Sequence, residues 1–287
     1  MSEKVYEIVT QKIIDMMETG KIPWKKPWNS NLPMNLKSKK EYRGINSFLL
    51  SLSEYSSPYW LTYDQAVNMG GCVKKGEKSR LVVFWKFLKS NKVNKDGTVS
   101  EKTIPLLRYF NVFNVEQCER IEVPVKEVKE VNKIEKCENI VNQYDDGPII
   151  SNNVVHGHAC YIPSLDTVSM PPIKDFENSE KYYSTLFHEL THSTGSITRL
   201  DRGLNTSFGN HEYSFEELVA EMGAAFLCGI TGIENNSTIE NSAAYIQTWI
   251  KKFKEDPKML IKAASKASKA VDWIMNERGE EKETVQE

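Results

Sequence analysis

The sequence has few cysteines and no long apolar segment. Its five cysteines are odd in number and none are spaced as CxxC, which argues against a disulfide framework and against a zinc site built from thiolates. No apolar run approaches the length of a transmembrane helix. Residues 1–20 alternate charged and apolar residues and lack the continuous apolar core of a signal peptide. We therefore expect a reduced, cytoplasmic setting and no membrane partner.

The chain also has little net charge, but its charges are unevenly distributed. The formal net charge is -2 over 287 residues, a length sufficient for two domains. Residues 1–120 contain 20 Lys and Arg against 12 Asp and Glu, a net charge of +8. Residues 121–287 contain 17 against 27, a net charge of -10. This asymmetry predicts two regions with different binding partners.

Histidine is scarce, with five in the chain, yet two of them form an HExxH sequence at residues 188–192. Histidines four residues apart lie on one face of a helix, so His188 and His192 can bind the same metal ion. Glu189 lies beside them and can act as a base toward a metal-bound water. The preceding residues have helical apolar spacing, with Ser179 as the expected N-cap and Gly195 as the expected end. The pattern predicts a catalytic zinc site of the zincin type.

A catalytic zinc site needs a third protein ligand and one open position. Residues 215–227 have strong helix propensity and carry three carboxylates, two of which, Glu217 and Glu221, share a face. We assign Glu217 as the third ligand and Glu221 as the acceptor of a ligating histidine's spare ring N–H, while Glu216 points elsewhere. Zn²⁺ is the expected ion, and another divalent metal is the alternative. The alternative to a metal role is that these three glutamates are ordinary solvated charges on the helix surface.

The simplest reaction for such a site is hydrolysis of a peptide bond, in which Glu189 passes the water proton to the leaving group. The reaction also needs a group that stabilises the oxyanion. Tyr161, His211 and Tyr213 are candidates, and the sequence does not rank them.

The basic part of the chain interleaves cations with aromatic rings, and it holds four of the six tryptophans. Cations can follow the phosphates of a single strand while unpaired bases stack on aromatic rings. Lysine and proline neighbours favour exposure of Trp24 and Trp28, whereas apolar neighbours favour burial of Trp60 and Trp85. The alternative is that the rings pack in the core and the lysines lie in solvated turns. The residues expected to contact DNA are Trp24, Lys25, Lys26, Trp28, Arg43, Asn46, Lys74, Lys75 and Lys78.

Short segments along nearly the whole chain match the motifs of a known family in order. They are PWKKPW at 23–28, PMN at 33–35, YRGIN at 42–46, WLT at 60–62, GG at 70–71, KGEK at 75–78, VFNVEQ at 112–117, MPP at 170–172, YSTLFHELTHSTG at 183–195, RL at 199–200 and FEELVAE at 215–221. On these segments the chain resembles the ArdC-type antirestriction proteins of conjugative plasmids and other mobile elements. Residues 119–146 match none of these motifs.

The resemblance implies an N-terminal domain that binds single-stranded DNA and a C-terminal zincin-like metallopeptidase domain, which together protect incoming plasmid DNA from host restriction. We expect an α+β fold: a mixed α/β domain with a small antiparallel sheet at 1–120, and a mostly helical domain with a short sheet at 149–278. Residues 121–148 are expected to form a linker and 279–287 a disordered tail.

Several individual elements are also predicted. They are a strand at 81–87, a polar hairpin tip at 89–102, a linker helix at 128–140, a strand at 159–162, and helices at 243–253 and 258–276. Two functional alternatives remain open. One is an intracellular zinc protease that recruits an unidentified protein substrate through its basic domain. The other is a catalytically silent DNA-binding protein stabilised by metal.

Overall fold

A computed structural model describes residues 2–24, 32–51, 53, 55–93, 99–124, 133–152, 158–204, 211–233 and 243–277. These residues form the predicted α+β fold, with sheets in the N-terminal region and mainly helices in the C-terminal region. In chain order the elements are α1 (Ser2–Met17), β1 (Met34–Asn35), α2 (Ile45–Ser51), β2 (Tyr59–Leu61), α3 (Tyr63–Asn68), β3 (Cys72–Val73), β4 (Arg80–Val93), β5 (Val99–Asn114), β6 (Cys118–Glu119), α4 (Lys133–Asn142), β7 (Ile149–Ser151), β8 (Cys160–Ile162), β9 (Thr167–Ser169), α5 (Ser179–Ser193), α6 (His211–Thr231), α7 (Ala243–Glu255) and α8 (Met259–Ile274).

The N-terminal region contains a four-stranded sheet in the order β1-β2-β5-β4. Its β4 and β5 form a long antiparallel hairpin, in which Arg80 pairs with Val112 at one end and Val93 with Val99 at the other. The predicted strand at 81–87 lies within β4. Both strands continue through the segment 89–102 that we expected to be a polar tip, and the connection at 94–98 falls outside the described residues. The tip is therefore shorter than predicted.

The C-terminal region contains helices α5 to α8 and a three-stranded sheet in the order β7-β9-β8. β7 pairs with β9 in parallel and β8 pairs with β9 antiparallel. The predicted strand at 159–162 corresponds to β8, and the predicted helices at 243–253 and 258–276 correspond to α7 and α8. Among the described helices, none is both long enough and apolar enough to cross a membrane.

One hydrophobic core joins elements of the two regions. α1 contributes Val9 and Ile13, which lie four residues apart and are fully buried in the same core as residues of α5 to α8. Phe48 of α2 stacks on Phe226 of α6, with 4.8 Å between the ring centroids. The N-terminal elements thus cover the helices that carry the site described below. The domain limits at residues 120 and 149 stay a prediction.

The predicted linker takes part in this core. The expected helix at 128–140 is observed as α4, Lys133–Asn142, and residues 125–132 lie outside the described residues. Cys137 and Ile140 of α4 are buried among the C-terminal helices. Burial of the Cys137 thiol raises its pKa to about 11, as expected for an unreactive cysteine. The expected tail at 279–287 lies beyond the part of the chain that the structure describes.

Candidate metal centre

α5 carries the HExxH residues, and its own sequence explains where it begins. The side chain of Asn178 caps the helix by accepting a hydrogen bond from Lys181 N at 2.8 Å, so the N-cap lies one residue before the predicted Ser179. Tyr183, Leu186, Phe187 and Leu190 are buried in the core, which fixes the rotation of the helix. As a result, His188 and His192 both face α6.

Close packing of α5 against α6 brings a third side chain to the histidines. A Cβ added at Gly223 of α6 would lie 2.5 Å from Thr191 Cγ2, so only glycine allows the two helices to approach this closely without a shift. Glu217 precedes Gly223 by less than two helical turns on the same helix. The approach therefore places its carboxylate beside the two imidazole rings.

The three side chains form a group that fits a metal ion. His188 Nε2 lies 3.1 Å from His192 Nε2, and Glu217 lies 3.6 Å from each ring, through Oε2 to His188 Nε2 and through Oε1 to His192 Nε2. Tetrahedral bonds of about 2.1 Å place ligand atoms about 3.4 Å apart, close to these separations. Within the described ranges this is the one group of three metal-ligating side chains with converging donor atoms. Its donor set of two imidazoles and one carboxylate suits a divalent cation.

The surroundings of His188 favour positive charge. Burial alone would lower the pKa of its imidazole, but the hydrogen bond with Glu217 and the charges of Glu189, Glu217 and Glu221 outweigh burial and raise the pKa to about 9. In the absence of a metal, a proton therefore compensates these carboxylates. A bound metal ion must displace that proton, so metal affinity decreases as the pH falls.

Glu189 lies beside the ligand group and is anchored to strand β8. Its Oε2 accepts a hydrogen bond from Tyr161 N at 2.8 Å, and the residue is only 8 % exposed. β8 is an edge strand of its sheet, and its Tyr161 N–H points at Glu189, away from β9. An edge strand beside the site can align an extended peptide by adding it as a further strand.

The contact to the spare nitrogen of His192 differs from the prediction. Glu216 Oε1 lies 3.3 Å from His192 Nδ1, whereas we expected Glu216 to point elsewhere and Glu221 to take this role. The reason is geometric: consecutive residues of a helix are rotated by about 100°, and α6 passes so close to α5 that Glu216 and Glu217 reach opposite nitrogens of the same ring. Glu216 therefore orients the imidazole that Glu217 adjoins.

Arg202 fixes Glu216 in turn. It donates from Nε to Glu216 Oε2 at 2.9 Å and from Nη2 to Oε1 at 2.7 Å. Burial would raise the pKa of Glu216, but the hydrogen bonds from Arg202 and His192 outweigh burial and lower it. The carboxylate thus stays ionised. Arg202 could not be found from the sequence, because it lies in the loop after α5 and has no regular spacing to His188, Glu189 or His192.

Glu221 lies one turn beyond Glu217 and has other partners. It accepts hydrogen bonds from Trp24 Nε1 at 2.6 Å and from the Tyr245 hydroxyl. Burial raises its pKa to about 7, against the lowering effect of these donors and of His188. Glu221 therefore connects the metal-ligand helix to the segment that ends at Trp24.

Trp24 is fully buried, so the prediction that it is exposed for DNA binding was wrong. Its ring packs edge-on against Trp249 and Phe253 of α7, with centroids 6.3 and 6.1 Å away. These partners lie far along the chain, and the lysine and proline neighbours of Trp24 gave no indication of them. Trp85 is also contrary to expectation, with 39 % exposure, whereas Trp60 is buried as predicted.

The other residues expected to contact DNA are dispersed. Asn46 is buried, donating to Val83 O and accepting from Val83 N at 2.7 Å each, so its amide is used within the fold. That placement contradicts a DNA-binding role. Arg43 is exposed but forms an ion pair with Asp272 of α8.

The basic loop after β3 keeps its side chains at the surface. Lys74 Nζ donates to Glu116 O at 2.9 Å, and Lys75 and Lys78 are exposed. Lys25, Lys26 and Trp28 lie outside the described residues. The structure thus leaves the loop lysines as accessible candidates and does not bring them together with Trp24 or Asn46.

Of the oxyanion candidates, Tyr161 is directed to another acceptor. Its hydroxyl donates to Asp166 Oδ1 at 2.8 Å, and Asp166 Oδ2 pairs with Arg199 Nη2 at 2.8 Å. The side chains of His211 and Tyr213 lie outside the described part of the chain. Tyr161 therefore contributes its backbone N–H to the site, through Glu189.

Two histidines on one helix, a glutamate from the next helix and an edge strand beside them define a zincin-like metallopeptidase domain. Residues 138–266 match the MPTase-PolyVal family, described as a zincin-like metallopeptidase. Residues 3–113 match the ArdcN family, described as the N-terminal domain of anti-restriction factor ArdC.

The chain belongs to the family of ArdC antirestriction proteins. It is 35 % identical to the metal-free crystal structure of ArdC from the R388 plasmid, with a TM-score of 0.74, covering 94 % of this chain and 96 % of that one. The Mn(II)-bound structure of the R388 protein is 36 % identical with a TM-score of 0.75, covering 94 % and 97 % of the two chains.

Curated relatives extend the comparison. The uncharacterized protein y4eC of Sinorhizobium fredii (strain NBRC 101917 / NGR234) is 31 % identical over 94 % of this chain and 91 % of its own length. Two DNA primases TraC of Escherichia coli are 34 % and 31 % identical over 94 % of this chain. The chain spans only 20 % and 27 % of the length of these primases.

Proposed function

We propose that the protein protects the DNA of a mobile element from host restriction, binding single-stranded DNA through its N-terminal region and hydrolysing a peptide bond at a metal centre in its C-terminal region. The observation that carries the enzymatic part is the convergence of His188, His192 and Glu217 beside Glu189. The excess of positive charge in residues 1–120 and the family membership support DNA binding.

At the metal centre, a bound divalent ion would supply a Lewis acid that polarises the scissile carbonyl and activates water. Glu189 is placed to accept the proton of the attacking water and to donate it to the leaving nitrogen. The hydrogen bond from Tyr161 N keeps this carboxylate in place. The open edge of β8 would hold the substrate extended, so that its backbone lies beside Glu189.

The expected metal is Zn²⁺, because two imidazoles and one carboxylate are a frequent ligand set of catalytic zinc. Manganese is the alternative, since the R388 relative was crystallised with Mn(II) bound. Because sites of this kind generally bind Zn²⁺ more tightly than Mn²⁺, recovery of peptide hydrolysis by the metal-stripped protein with each ion would decide between them. Recovery with Mn²⁺ and not with Zn²⁺ would overturn the zinc assignment.

DNA binding is tested by fluorescence anisotropy with a labelled single-stranded oligonucleotide and its duplex across a salt series. We expect preference for the single strand and an affinity that decreases steeply with salt, because lysine and arginine side chains displace counterions from the phosphates. Binding should survive removal of the metal if the two regions act separately. Absence of single-strand binding would contradict the proposal and favour a protease that uses its basic region for protein recognition.

A further inference from the structure

A groove of about 710 Å³ lies on the sheet of the N-terminal region. β4 and β5 form its floor, and α3 together with Lys37 forms the opposite wall. No residue of the candidate metal centre lines it. Its volume lies within the range of ligand-binding clefts.

The register of the hairpin places aromatic and cationic side chains on the groove face in alternation. Phe84 pairs with Arg108, Val82 pairs with Phe110, and side chains of paired residues point to the same face of the sheet. Lys86, two residues after Phe84, shares that face. The Phe84 and Phe110 rings meet edge to face with their centroids 5.7 Å apart. Ring and cation therefore recur along the floor.

Two strongly exposed aromatic rings border this groove. In the described part of the chain, the strongly exposed aromatic side chains are Tyr63 at 55 %, Trp85 at 39 %, Tyr109 at 50 % and Phe110 at 43 %. Tyr63 and Phe110 present their rings to the groove, whereas Trp85 and Tyr109 lie on the other face of the hairpin. Contiguous exposed apolar surface rimmed by polar residues is typical of a ligand or partner site.

The charge of the lining matches an anionic ligand. Lys37, Lys86 and Arg108 are exposed, and Asp64 is the one carboxylate among the described lining residues. Separate cations beside flat rings suit a chain of phosphates that carries unpaired bases.

We propose that this groove is the single-stranded DNA site, with bases stacked on Phe110 and Tyr63 and phosphates held by Lys37, Lys86 and Arg108. The inference rests on the single-strand binding proposed above and locates that binding at the groove. The site uses none of the residues expected from the sequence to contact DNA.

The first test removes cations. Lys86→Ala/Arg108→Ala in the groove is compared with Lys75→Ala/Lys78→Ala in the loop after β3, because both double variants delete two exposed cations. The groove variant should reduce the slope of log affinity against log salt by about 1.4, from about 0.7 per phosphate contact of a single strand. The loop variant should retain the wild-type slope. A reduced slope in the loop variant but not in the groove variant would overturn the groove assignment.

The second test removes stacking. Phe110→Ala should weaken binding of an oligonucleotide by roughly 5- to 150-fold, the range for loss of one base stacked on an aromatic ring. Tyr109→Ala is the matched control, since Tyr109 is equally exposed but lies on the other face of the hairpin and does not line the groove. It should bind as the wild type does.

An abasic oligonucleotide of the same length separates stacking from misfolding. Because it offers phosphates without bases, Phe110→Ala should bind it as the wild type does, whereas a misfolded variant would lose both ligands. If the wild type binds no single strand, the proposed function itself fails. If the wild type binds and the groove variants bind equally well, the groove proposal alone is wrong.

Discussion

The metal centre draws its two histidines from a single helical turn, whereas the groove on the N-terminal sheet draws its side chains from two strands, a short helix and a loop. In the first case four residues of spacing suffice to place the donor atoms. In the second, Phe84 and Arg108 become neighbours only because the hairpin has one particular register. A pair of side chains on one helix can be predicted from sequence spacing, whereas a pair brought together across two strands cannot. The following predictions test that difference.

The largest expected effect is on hydrolysis at the metal centre. Glu189→Gln keeps the size of the side chain and removes its basicity, so peptide hydrolysis should fall by about 10²- to 10⁴-fold. Cleavage of a fluorescent protein substrate would be measured with metal affinity as the companion measurement, which should stay near the wild-type value. Glu177→Gln, an exposed position before α5, is the control. Equal activity of the two variants would show that Glu189 is not the base.

A smaller effect is expected from the carboxylate that the sequence analysis had placed elsewhere. Glu216→Gln removes the charge that holds His192 Nδ1, and loss of such an outer contact typically weakens metal binding by about 10- to 100-fold. Calorimetric titration with Zn²⁺ and Mn²⁺ would measure the change. If Glu216→Gln binds metal as tightly as the wild type, the orientation of His192 does not depend on this contact.

In the N-terminal region, Asn46→Ala should affect stability and not recognition. The substitution leaves Val83 N and Val83 O without their side-chain partner, at a cost of about 1–3 kcal/mol in the free energy of unfolding for each of these two buried groups. Urea denaturation would measure this cost. Single-strand affinity of the folded variant should match the wild type, and a selective loss of affinity would return Asn46 to the DNA site.

A further expected effect concerns pH and the metal-free protein. The pKa of His188 is about 9 in the folded chain, above the ordinary value of 6.5. A raised pKa contributes stability that is fully present below pH 6.5 and is lost as the pH rises through 9. Thermal unfolding of the metal-free protein should therefore show this contribution declining over that window. In His188→Gln the decline should be absent, and its persistence would assign it to another group.

Helix α5 and the pairing of its histidines could be predicted from helical spacing, and the division into two regions from the distribution of charge, whereas the α+β fold was implied by the family resemblance. The exchange of roles between Glu216 and Glu221 could not, because it depends on how closely Gly223 lets α6 approach Thr191. The burial of Trp24 could not be predicted from the sequence either. Its neighbours in sequence include proline and two lysines, but its neighbours in space come from α7.

The hydrogen bond from Trp24 to Glu221 links the segment entering residues 25–31 with the helix that carries Glu217. A ligand that pulled this indole from its pocket would leave a buried carboxylate short of a donor, one turn from a metal-ligating position. If that loss changes the affinity for metal, thermodynamic reciprocity requires that metal occupancy change the free energy of indole withdrawal by the same amount. Trp24 thus connects the segment that follows it to the metal-ligand helix, and a coupling between them would be measurable from either side.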